Sequence, residues 1–214
     1  MINKLGHKNF ILDQSNCHYS RVDLHYERLP YNKLRGHHMR MNQMLSRMQA
    51  WDSALCVSVS HSSQYRLIRA WFRVISRLGD GVFWYALMLG ILATQQSEGV
   101  KPVVHMLAAG LTGTLIYKWL KHKTHRPRPY QVHQHVFVTG KPLDRFSFPS
   151  GHTLHAVAFG LVALFYFPLL ATTLIPFIVM VAMSRVVLGL HYPSDVLAGA
   201  AIGCANAQLS FILF

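Results

Sequence analysis

The chain has 214 residues, 51% of them apolar and only 14% charged, and a positive mean hydropathy, a balance that leans away from a soluble domain and towards a small membrane bundle. Lysine and arginine outnumber aspartate and glutamate by 21 to 8, so the surface attracts phosphates, and charge alone does not choose between nucleic acid, lipid head groups and a small anion. The three cysteines, Cys17, Cys56 and Cys204, are far apart and form no CxxC, which argues against a disulfide framework or a zinc ribbon and for free thiols.

Residues 1–40 mix histidine, arginine and tyrosine without clear period and read as a loose, basic, polar arm. The first twenty lack the apolar core of a secretory signal, so no cleavable leader is expected. Met41, Met44, Leu45, Met48, Trp51 and Leu55 follow a helical stripe, which predicts a packed face and no special chemistry. Arg66, Arg69, Arg73 and Arg77 then recur against Leu67, Ile68, Trp71, Phe72, Ile75 and Leu78. That is the pattern of a basic amphipathic helix on an anionic membrane, with a solvated helix face as the plain alternative.

Beyond Gly81 the charge thins and long uncharged runs begin. Gly81–Thr94 is short for a crossing but can borrow length from the residues before it. Pro102–Tyr117, extendable through Leu120, and Val196–Phe214 approach the roughly 20 residues that span a bilayer. Thr153–Met183 is 31 residues without a charge, too long for one crossing, and Pro168 with Ala171–Thr173 near its middle predicts two helices joined by a tight turn. The expected fold is therefore all-α: an integral membrane bundle of about five transmembrane helices (81–214), preceded by amphipathic interfacial helices (41–80) and the basic arm (1–40).

Polar islands interrupt this oily half. The segment between the second and third spans, "KWLKHKTHRPRPYQVHQHVFVTGKPLDRFSFPSGH", is dense in cations, and "SRVVLGLHYPSD" lies between the fourth and fifth. If spans alternate direction, both emerge on one membrane face, where their cations and histidines can share a pocket for a polyanion. Lys121–Pro129 reads KxxxxxxRP, Pro149–His152 reads PSGH and Ser184–Asp195 reads SRxxxxxHxxxD. The register of the first is fixed, because Arg126-Pro127 would need a lysine where Trp119 stands. In these ordered motifs the chain resembles the type 2 phosphatidic acid phosphatase (PAP2) family, in its membrane lipid phosphatase branch.

The resemblance implies a phosphohistidine mechanism with His191 as nucleophile, and the residue types suit it. A neutral imidazole has a free lone pair near pH 7. Asp195 would accept the other ring proton and fix the tautomer. Pro193 interrupts any helix between the two, which predicts a turn feeding a helix capped at Ser194. His152 would protonate the leaving alkoxide and later take a proton from water. Ser150 and Gly151 open a helix whose start favours an anion, while Lys121, Arg128 and Arg185 supply charge and bidentate grip. No metal or other cofactor is called for. Singly, each cation at a span end reads as a head-group anchor and each histidine as structural; the three ordered motifs on one face change that reading.

His122, His125, His133, His135 and His155 have no motif behind them; the HQH of 133–135 is read as surface loop before metal site, and Asp144 is expected to pair with Arg145 or Lys141. Gly199 and Gly203 form a GxxxG, continued by Ala207, for close approach to a neighbouring helix, within the bundle or in a homodimer. The partners implied are a phosphorylated lipid (phosphatidate, phosphatidylglycerophosphate or polyprenyl diphosphate type) and the bilayer, not nucleic acid. Two alternatives stand beside this: a vanadium haloperoxidase, a soluble class that the C-terminal apolar run disfavours, and a non-catalytic basic membrane or nucleic-acid-binding protein. The expected location is a plasma membrane, the inner membrane in a Gram-negative cell. The positive-inside rule favours a cytoplasmic site, whereas many bacterial members of the resembling family work outside the cytoplasm.

Overall fold

A chain that enters lipid must satisfy its backbone within each segment, and residues 47–132 and 144–214, those described by a computed structural model, do so with helices and turns alone. Helix α1 covers residues 47–60, and a short 3-10 turn, His61–Gln64, leads into α2 (Arg66–Arg77). A π turn at Leu78–Val82, with Gly81 at φ 133°, kinks the chain into α3 (Phe83–Gln95), and α4 (Val100–Thr124) returns. A single helical turn, α5 (Pro129–Val132), precedes α6 (Gly151–Tyr166), which a 3-10 turn at Pro168–Leu170 joins to α7 (Ala171–Val187); α8 (Pro193–Leu213) completes the bundle. The predicted break near Pro168 and the spans at 81–94, 102–120 and 196–214 all correspond to helices. The basic arm, Met41, Met44, Leu45, Lys141 and the HQH stretch lie outside the described residues.

By length and hydropathy alone, the stretch Arg66–Val132 and the helices ending at Val187 and Leu213 suit a bilayer, and Gly151–Tyr166 is apolar but shorter. The short one is the centre: α6 packs against α8, α4 and α7. Its buried positions include Ala156, Ala158, Gly160 and Ala163, small side chains that let the neighbouring backbones close in. Gly199 and Gly203 of α8 make the tightest approach, since a Cβ on either would sit 2.5 Å from the carbonyl oxygen of Ser150 or Leu154. The GxxxG face is thus occupied by α6, within the chain. Polar contacts add direction: Asn206 Nδ2 donates to the Ala109 carbonyl at 2.8 Å, Thr112 Oγ1 to Asn206 Oδ1 at 2.9 Å, and His105 Nε2 lies 2.8 Å from Ser210 Oγ. Trp84, Phe83, Phe159 and Phe177 fill the core between α3, α6 and α7.

Apolar side chains also face outward along the spans, among them Leu89, Leu111, Ile175 and Leu209, the surface expected where the neighbour is lipid. Helix α1 corrects the sequence reading. Its stripe of Met48, Trp51 and Leu55 is exposed, and Asp52, Cys56 and Ser60, at i, i+4 and i+8, are buried against the bundle. The physical reason is that the surface beneath α1 is a polar turn, so the polar face turns inward, and an outward apolar face suits a helix at a bilayer surface.

Substituting Gly199 by valine should cost about 1–3 kcal/mol through overpacking against the α6 backbone. Gly90 has open space around its Cα, so Gly90→Ala should be neutral or slightly stabilising. Thermal unfolding in detergent checks the pair, and equal melting temperatures for the Gly199→Val variant and the parent would contradict the packing described.

Candidate active site

The site is assembled from helix ends. Helix α4 stops at Thr124, where His125 takes a left-handed conformation (φ 48°) and the Arg-Pro-Arg-Pro run removes amides and disfavours helical backbone. The reversal brings Arg126 and Arg128 against the turn between α7 and α8. There, the amides of Leu190 and His191 both reach the Arg185 carbonyl, at 3.0 and 3.1 Å, and hold the turn closed. Helix α8 starts with Pro193 at its first position and Tyr192, not Ser194, as its N-cap; the Asp195 carboxylate reaches back to accept the Tyr192 amide at 2.9 Å. Ser194 is drawn off instead by Asp52, whose Oδ1 accepts its amide at 2.9 Å.

His191 is buried. Its Nε2 lies 3.4 Å from Arg128 Nη1, and its Nδ1 lies 3.7 Å from Asp195 Oδ2. Arg128 is fixed by two carbonyls, donating from Nε to Asp144 at 2.9 Å and from Nη1 to Leu190 at 2.8 Å. Lys121 Nζ meets Asp144 Oδ2 at 2.6 Å, so the partner of Asp144 is a motif lysine and not Arg145. Arg185 is buried, with Nη1 on Ser76 Oγ of α2. His152, in the first turn of α6, contacts the Asp80 carboxylate from the α2–α3 kink. Ser150 is held inside the protein, its amide donating to the Asp195 carbonyl at 3.0 Å and its hydroxyl lying 2.9 Å from Thr153 Oγ1, while Gly151 packs near the Tyr117 ring. Residues of all three motifs therefore gather where the ends of α4, α6, α7 and α8 come together.

The electrostatics follow. Burial, then the fields of Arg128, Arg185, Lys121 and His152, hold the His191 pKa well below the ordinary imidazole value, which keeps its ring neutral with a lone pair to donate. Burial opposes the Asp144 carboxylate's charge, but Lys121, Arg128 and His152 outweigh it and lower its pKa. Beside His152 opens a cavity of about 360 Å³ lined by Asp80, Asp144 and His152 and by apolar side chains that include Met88, Leu107, Leu111 and Phe159. The arrangement gathers three buried cations, a neutral imidazole and a second histidine, groups chemically suited to an anion.

The family model described as the PAP2 superfamily matches residues 102–214. The chain belongs to this family. Among curated relatives, a lipid A 1-phosphatase of Rhizobium johnstonii is 32% identical over 133 residues, 58% of this chain and 54% of that protein. The undecaprenyl-diphosphatase BcrC of Bacillus subtilis is 33% identical over 130 residues, 59% of this chain and 66% of that protein. Each match spans about half to two thirds of the relative's own length. Among solved structures, a transmembrane PAP2-type phosphatidylglycerolphosphate phosphatase of Bacillus subtilis has a TM-score of 0.59 and 25% identity, covering 78% of this chain and 86% of that one. Aquifex aeolicus LpxE, with a TM-score of 0.63 and 24% identity, covers 73% of this chain and 92% of that one and supports the fold.

Within this PAP2 chain, three acidic residues at the site escaped the sequence reading or were given other partners: Asp52, Asp80 and Asp144. Asp80 had a signal, a carboxylate between two glycines at the start of an apolar span. Asp52 had none. Its helix carries an apolar stripe that points away from it.

A histidine that stays neutral when folded but titrates when unfolded makes the native state lose stability as pH falls below about 6.5, because only the unfolded chain gains the proton there. The melting temperature should fall more steeply between about pH 7 and pH 5 in the parent than in His191→Asn. Parallel curves would contradict a buried, neutral His191.

Proposed function

We propose that this protein is an integral-membrane phosphatase that hydrolyses a phosphomonoester or diphosphate of a lipid. The juxtaposition of His191 and Arg128 carries the reading: a nucleophile in reach of an anion and the guanidinium that grips it stand 3.4 Å apart. The relatives named above, which act on lipid A, undecaprenyl diphosphate and phosphatidylglycerolphosphate by their names, support the substrate class.

In this reading, Lys121, Arg128 and Arg185 neutralise the phosphoryl oxygens, and the amides at the start of α6 around Gly151 add donors. His191 Nε2 attacks phosphorus in line, and Asp195 holds the Nδ1 proton as positive charge grows on the ring. His152 gives a proton to the departing oxygen, then takes one from the water that cleaves the phosphohistidine. Asp144 holds Lys121 in place. The cavity walls of α3, α4 and α6 receive the first part of the lipid tail, so the tail stays in the bilayer while the head group reaches the cations. Five helices, α3, α4, α6, α7 and α8, cross the membrane, and α1 and α2 lie at the face that holds the site.

Phosphate release by the purified protein from a panel of phosphatidate, phosphatidylglycerophosphate, lipid A and polyprenyl diphosphate is the test. At least one is expected to turn over, with the loss of about 10³-fold or more in His191→Ala or His152→Ala while the variants remain folded. Turnover near the parent's in either variant, or none on any lipid, would overturn the proposal.

A further inference from the structure

Arg126 was set aside by the motif register, yet its guanidinium makes more charged contacts than any motif cation among the described residues. One Nη1 donates to Asp195 Oδ1 at 2.7 Å and to Ser194 Oγ at 2.8 Å, Nη2 meets Asp52 Oδ2 at 2.5 Å, and the fork lies 4.2 Å from the centre of the Tyr192 ring. Asp195 divides its two oxygens. Oδ1 takes Arg126, while Oδ2 takes the Tyr192 amide and faces His191 Nδ1. Asp52 and Asp195 are almost wholly buried, so neither carboxylate faces bulk solvent.

Building on the roles proposed for His191 and Asp195, we propose that Arg126 is a positioning residue for the catalytic pair, braced by Asp52 of α1, which keeps Asp195 ionised and aimed at His191. A buried carboxylate stripped of its counter-charge takes up a proton more readily, and a protonated Asp195 no longer stabilises positive charge growing on the imidazole 3.7 Å away. Asp52 fixes the far side of the fork and the α8 amide of Ser194 together, so α1 sets the height of Arg126 over the turn. Burial opposes the Arg126 charge, but Asp195 and Asp52 outweigh it and raise its pKa, so the guanidinium remains charged throughout.

Among the described residues, few groups face Asp195. From the loop after α4 come Arg126 and Arg128, from α1 Asp52 and Cys56, from its own turn His191 and Tyr192, and from the segment before α6 the uncharged Ser147. Cys56 Sγ sits 3.9 Å from the His191 carbonyl, with burial and then Asp52 and Asp195 pushing its pKa up to about 12, so it stays a neutral thiol. Among the described residues, Arg126 is thus the charged partner in direct contact with the Oδ1 atom.

The test compares pH profiles of kcat/KM for the parent, Arg126→Met, Arg126→Lys and Asp52→Asn on whichever lipid phosphate the parent hydrolyses, with melting temperatures in the same detergent. Arg126→Met should lose about 10²-fold in kcat near neutral pH, and its acid limb should move up by about one pH unit or more. Arg126→Lys should recover part of both, and Asp52→Asn should shift the limb in the same direction by less. If Arg126→Met does not fold, an intermediate shift in the lysine and asparagine variants carries the claim. Profiles that keep the parent's shape and merely scale down, in whichever of these variants fold, would overturn it while leaving the phosphatase reading intact, because that reading rests on turnover by the parent and its loss in His191→Ala.

Discussion

The contact between Arg128 and His191 governs this architecture. A guanidinium beside an imidazole offers an N–H to the neutral ring and repels the protonated one, so the contact holds His191 in its neutral form. The two are buried together, with Arg128 pinned by the carbonyls of Asp144 and Leu190 and not by a carboxylate. A fold stabilises such a pairing only by over-determining it from several sides. The Arg-Pro-Arg-Pro reversal, the closed turn before α8 and the glycine-mediated contact of α6 with α8 all bear on that one point. The outcome is a cluster of positive side chains around a buried, neutral imidazole.

The acidic residues explain how a cluster of this charge stays folded. Asp144 pairs with Lys121, Asp80 meets His152 and lies near Arg185, and Asp52 with Asp195 encloses Arg126. Around His191 itself burial, then the charges of Arg128, Arg185 and Lys121, still outweigh these carboxylates and lower its pKa. The buried, like-charged groups are tolerated because their neutralisation is distributed over four different elements, which ties those elements to one another.

Much of the fold was legible because lipid imposes a simple rule: long uncharged runs become helices, and Pro168 divides the one that was too long. The convergence of the candidate site was legible where its residues sit at fixed spacing beside a helix end, as Lys121, Arg128, His152, Arg185, His191 and Asp195 do. Asp52 and Arg126 were not, for two reasons. A hydrophobic stripe marks the face that avoids water but does not distinguish core from lipid, so α1 was read with its sides reversed. In addition, the partners lie 74 residues apart and meet only because α4 turns back at His125. The N-cap of α8 was placed two residues late, since Asp195 performs the capping that Ser194 was expected to do.

The account's central claim is that the convergent cations deliver phosphorus to His191. Rapid quenching of the enzyme during turnover of a lipid labelled in its phosphate tests this most directly. The account predicts a phosphoenzyme that survives alkali, decays in acid, maps to His191 and is missing in His191→Ala. Normal turnover with the label on another side chain, or with no covalent species in the pre-steady state, would contradict it.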